Sequence, residues 1–146
     1  MGMYTQLVLD VELRYNHDLH KILEFMMNPD DNKNYEIFDS RSEGLFTTDR
    51  WYWMLRGNSA YFSDWEEPTL QVHRNAIHFT CCFNIKNYTG EIEEFLKFLN
   101  PYIIGDYIDI GTYWYEEWEN ASPLVKVVDK IIRYSPDKSK VLEVMA

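Results

Sequence analysis

The sequence predicts an α+β domain: a largely antiparallel sheet of five or more strands with two helices packed on one face. Two observations carry that prediction. Two stretches alternate apolar and polar residues with a period of two, and each is followed by a stretch whose apolar residues recur with the helical period. A chain of 146 residues, 46% of them hydrophobic, buries about two thirds of its unfolded surface, so its core needs neither disulfide nor metal. The expected unit is a single domain, 1–146.

From Thr5 to Arg14, Leu7, Leu9, Val11 and Leu13 share one parity while Gln6, Asp10, Glu12 and Arg14 share the other, with Val8 the apolar exception. This is a strand with one face buried. The same device returns at 77–86, where Ile77, Phe79, Cys81, Phe83 and Ile85 are predicted inward and His78, Thr80, Cys82, Asn84 and Lys86 outward. After the first strand, Leu19, Ile22, Leu23 and Met26 trace a helical stripe, with Asn16 as N-cap and Asn28-Pro29 as the stop. After the second come Ile92, Phe95, Leu96 and Leu99, with Thr89 as N-cap and Asn100-Pro101 as the stop. Glu91, Glu93 and Glu94 occupy the first turn, where the helix dipole favours them.

Between these units, Arg50–Arg56 reads as an aromatic strand with Trp51, Trp53 and Leu55 on one side. Thr69–Arg74 alternates Leu70 and Val72, and Asn75-Ala76 turns it into the strand at 77–86. Tyr107–Tyr115 is a further strand, and Gly111 within it marks a bulge or the close approach of another backbone. The order β-α-β-β-β-α-β resembles a ferredoxin-like sandwich with an extra strand, by analogy of architecture alone. Leu124–Tyr134 fits a helix or a hairpin; its five β-branched residues favour strands turned at Asp129-Lys130. Residues 29–49 form a long loop in which Tyr35, Ile37, Phe38, Leu45 and Phe46 are anchors, and 135–146 is a C-terminal tail.

Charge narrows the function classes. With 24 acidic against 14 basic side chains the formal net charge is -10, which opposes direct binding to nucleic acid or to an anionic membrane. No apolar run approaches the ~20 residues of a membrane helix, and Met1-Gly2-Met3 carries no basic leader, so a cytoplasmic protein is expected. Cys81 and Cys82 are adjacent and point to opposite faces of a strand, an arrangement suited to a reducing compartment.

No catalytic constellation emerges. His17 and His20 are spaced for two metal ligands but lack a third, and His73 and His78, flanking a hairpin turn, reach a metal only if Asp10 or Glu12 lies beside them. Cys82 with His78 is the minimum for an activated thiolate, yet nothing supplies an orienting group. Pairs such as Asp106 with Asp109, or Glu116 with Glu117, are what a chain this acidic contains by composition. Glycine-rich phosphate loops, Gly-x-Ser-x-Gly and His-Glu-x-x-His are absent from the sequence. The expectation is therefore a protein that is not an enzyme and uses no cofactor and no metal.

Aromatic content is more informative. Phe, Trp and Tyr make up 16% of the chain, and tryptophans abut acids at Asp64-Trp65-Glu66-Glu67 and Glu116-Glu117-Trp118-Glu119. Rings beside carboxylates suit a protein-binding surface, where aromatic area supplies affinity and charge steers the encounter. Residues 1–120 hold 21 acids and 9 bases, a net of -12, whereas the last 26 residues are mildly basic. The leading reading is a non-catalytic module covering a basic surface of a partner protein, with these eight residues as the contact set. In size and composition it resembles small acidic bacterial immunity proteins and phage-borne inhibitors, without a matched motif. A small-ligand pocket on the open sheet face is the alternative, lined by Arg50, Tyr52, Arg56, His73, His78 and Asn84 and suited to an anionic or planar ligand. An exposed sheet edge or aromatic patch also allows a homodimer.

Overall fold

The computed structural model describes residues 4–28, 43–55, 66–105, 108–115, 124–128, 131–137 and 140–144. It is an α+β structure built on an antiparallel sheet. Strand β1 (Thr5–Arg14) leads into helix α1 (His17–Met27); a helical turn α2 (Glu43–Phe46) precedes the hairpin of β2 (Glu66–His73) and β3 (Ala76–Ile85); helix α3 (Glu91–Leu99) leads to β4 (Ile108–Tyr115). Strands β5 (Leu124–Val128), β6 (Ile131–Asp137) and β7 (Lys140–Val144) complete an order β2-β3-β1-β4-β5-β6-β7.

The parity read from β1 and β3 is the parity observed. Leu7, Leu9, Val11 and Leu13 are buried together with Ile77, Phe79, Cys81, Phe83 and Ile85, and all join one cluster with the stripes of both helices. Phe95 of α3 meets Phe79 and Phe83 edge-on at 6.1 and 6.3 Å between ring centroids. Each such pair adds about 1 kcal/mol to what burial provides. Because β1 and β3 pair over their full length, from Thr5 opposite Ile85 to Arg14 opposite Ala76, a slip of one residue would turn every one of these side chains to the other face.

The capping differs between the helices. Asn16 caps α1 as the sequence predicts, its Oδ1 accepting from the Leu19 N–H at 3.0 Å. Thr89 does not cap α3. Gly90 holds that position with a left-handed φ of 76°, and the Asn87 side chain accepts from the Ile92 N–H at 2.8 Å. After Leu99 the chain tightens into a 3₁₀ turn at Asn100–Tyr102 and then runs beside β1, where Ile103 bridges Leu13.

Two expectations change. Of the strand expected at Arg50–Arg56, the described residues 50–55 are not extended: Trp51–Trp53 is a 3₁₀ turn, with Trp51 and Tyr52 both buried and Trp53 exposed. Trp51 packs on Phe25 of α1 and on Phe46 at 5.7 and 4.7 Å, so tertiary packing of the rings overrides their strand propensity. The tail is not a tail either, since Lys140–Val144 pairs with β6 as an added strand. Of the loop at 29–49, Leu45 and Phe46 are buried anchors, while Tyr35, Ile37 and Phe38 lie outside the described residues. The C-terminal alternative resolves as a hairpin, with Val128 opposite Ile131.

Gly111 behaves as its place in a strand suggested. The register between β4 and β5 shifts between Asp109 and Gly111, and a Cβ on Gly111 would stand 1.8 Å from the Val8 carbonyl oxygen. The strands approach closely enough there that only glycine fits.

Candidate functional site

The face of the sheet that is helix-free among the described residues carries the chemistry that the sequence singled out. Its register places Glu12 of β1, His78 of β3 and Gln71 of β2 in one row, with Asp10, Thr80 and Thr69 in the next. His78 Nε2 lies 2.6 Å from Asp10 Oδ1, and the Thr69 and Thr80 hydroxyls are 2.5 Å apart. The hydrogen bond to Asp10 holds the His78 imidazole above its ordinary pKa; partial burial opposes the rise, and the Asp10 and Glu12 charges add to it. His73, two residues along β2 from Gln71, is exposed on the same face, diagonal to His78.

Thus the strand order that would bring His78 beside Asp10 and Glu12 is the one observed. No group of three or more His, Cys, Asp or Glu side chains placed to hold a metal ion occurs among the described residues. Cys82 shares the face but sits four residues from His78 on a fully extended strand, roughly 13 Å away, too far for an ion pair with its imidazole. Toward that end the face closes. Cys82 and Asn84 point away from the helices, as predicted, yet are buried. Cys81 lies in the core, where burial pushes its thiol up, and neither cysteine forms a disulfide. On α1, His20 Nδ1 pairs with Glu24 at 2.8 Å, and His17 is exposed.

The five described residues of the alternative ligand pocket do not come together. His73 and His78 are at the hairpin end of the helix-free face, Asn84 is buried at its other end, and Arg56 lies outside the described residues. Tyr52 is buried in the helix layer, and Arg50 is engaged at the start of α3. Of the acidic contact set, Glu67 is exposed and Glu66 opens β2. Asp64, Trp65, Glu116, Glu117, Trp118 and Glu119 lie outside the described residues.

A second polar cluster went unread in the sequence. Glu91 is fully buried at the first turn of α3. Its carboxylate accepts from the Arg50 N–H at 2.9 Å, the Thr89 N–H at 3.0 Å and the Thr89 hydroxyl at 2.8 Å, and the Arg50 guanidinium stands 3.7 Å away. That guanidinium lies over the Tyr88 ring at 5.3 Å. Alongside, Asn87 donates to Glu93 at 2.7 Å and the Tyr113 hydroxyl donates to Glu93 at 3.1 Å. The signal was present as glutamates in the first turn of a helix, but Arg50 lies 41 residues from Glu91 and Tyr113 lies 20 from Glu93. With its carboxylate satisfied on every side, the cluster fastens the segment after α2 to α3.

Comparison with protein-family models, with curated proteins and with solved structures finds no match.

Proposed function

We propose that the protein is a non-catalytic binding module that covers a basic surface of a partner protein, an inhibitor or immunity-type role carried out in the cytoplasm. The observation that carries it is the helix-free sheet face, which presents the exposed carboxylates of Asp10 and Glu12 within a domain whose first 120 residues hold 21 acids and 9 bases. Exposed carboxylates within a domain of this charge steer a basic partner to the face and oppose phosphate backbones by the same field. Glu66 and Glu67, with the acidic tryptophan clusters around Trp65 and Trp118, extend the proposed contact set. The likeness of the strands β2-β3-β1-β4 to a ferredoxin-like sandwich is one of architecture and leaves the function open.

The test is capture of binding proteins on the immobilised chain at low and at high salt, in parallel with the charge-reversed variant Asp10→Lys/Glu12→Lys. The expected outcome is a basic protein held at low salt, released as salt rises and lost with the variant. A partner whose affinity ignores both ionic strength and the reversed charges would overturn the reading.

A further inference from the structure

We propose that a second copy of this chain docks on the outer edge of β2, joining the two sheets through an antiparallel β2–β2 seam. Among the described residues β2 pairs on one side only, with β3. Thr69, Gln71, Val72 and His73 are exposed along it, and Val72 at 49% is a large apolar side chain left in water on the helix side of the edge.

The hairpin fixes which backbone groups are available. His73 and Ala76 close the two-residue turn Arg74-Asn75 and so exchange both of their bonds. Counting back, Gln71 and Thr69 also point toward β3, and the N–H and C=O groups of Leu70 and Val72 point outward. Pro68, which follows with the same outward parity, lacks the donor an edge would expose, and the bulge between Glu66 and Thr69 ends regular pairing there. The usable edge is thereby 69–73, and a twofold axis at Gln71 brings Leu70 opposite the second copy's Val72, where the two exchange both bonds. The axis repeats the pair, and Leu70 and Val72 then cover one another on the helix side.

The same axis is complementary in charge. Glu67 is exposed at one end of the strand and Arg74 is exposed in the turn at the other, so the antiparallel seam sets each Glu67 beside the second copy's turn. A strand of one sign throughout would repel its own copy.

Sedimentation velocity across micromolar to millimolar concentrations tests this. The expected result is a shift from monomer to dimer mass with rising concentration. Val72→Pro removes an outward donor and the valine side chain without touching a bond to β3, and is expected to raise the dimer dissociation constant ~10-fold or more with an unchanged circular dichroism spectrum. Glu67→Lys is expected to weaken the dimer and Glu67→Lys/Arg74→Glu to restore it, on a fold that neither exposed position supports. A monomer at every concentration would overturn the proposal and leave the edge to a strand from a different protein. So would a dimer unmoved by Val72→Pro and by the charge swap.

Discussion

At the scale of single residues, Gly111 and His78 show how far one side chain can decide. Gly111 has a φ of 158° and no room for a Cβ, so Gly111→Ala forces β4 away from Val8. A destabilisation of about 3 kcal/mol or more is expected in urea unfolding, large for the addition of a single methyl. His78 is a case of linkage. Its pKa is raised in the folded state, so the Asp10 pair contributes stability that is fully present below the ordinary value of 6.5 and lost as pH rises through the raised value. The effect is small, below about 1 kcal/mol, because Asp10 is largely and His78 partly solvated. By NMR titration His78 should titrate above 6.5 in the native chain and move down in Asp10→Asn, and the stability gap between the two should close as pH rises. Both positions were legible in part. A glycine inside a strand announces a close approach, and His78 shares its parity with Asp10 and Glu12, but which strand lies beside which is not written in either.

At the scale of elements, the helices and the two long strands form where their periodicity puts them, because each has enough apolar residues at one spacing to bury a face. The short aromatic segment at Arg50 had no such repetition. Five residues with three rings satisfy a strand pattern and a buried turn equally well, and the pocket between Phe25 and Phe46 settles it for Trp51. The start of α3 teaches the same lesson in polar chemistry. Thr89 has the right chemistry for a cap, but its hydroxyl is spent on Glu91, and the cap falls to Asn87. Glu91→Ala removes the buried carboxylate that accepts from Arg50 and Thr89 and leaves their part-buried N–H groups to water, and a loss of about 2–3 kcal/mol is expected in thermal or chemical unfolding. Arg50→Ala should cost less, about 1 kcal/mol, since the guanidinium is partly solvated and Glu91 keeps its backbone donors.

At the scale of the whole molecule, a net charge of -10 acts on every equilibrium the chain enters. Self-repulsion is expected to lower stability at low ionic strength, so the unfolding temperature should rise between dilute buffer and ~0.15 M salt, where the screening length falls to about 8 Å. The same salt should weaken association with a basic partner, which separates an intramolecular effect from an intermolecular one in a single titration. The sequence by itself determined the α+β class, the inward faces of β1, β3, α1 and α3, and the acidic field, because hydrophobic period and charge are properties of consecutive residues. Tertiary structure alone decided the partners: Asp10 with His78 across 68 residues, Arg50 with Glu91 across 41, and the dispersal of the described pocket candidates to separate parts of the fold. Those outcomes depend on strand order and on which rings fill the helix layer, and both are fixed by packing free energy summed over the whole core.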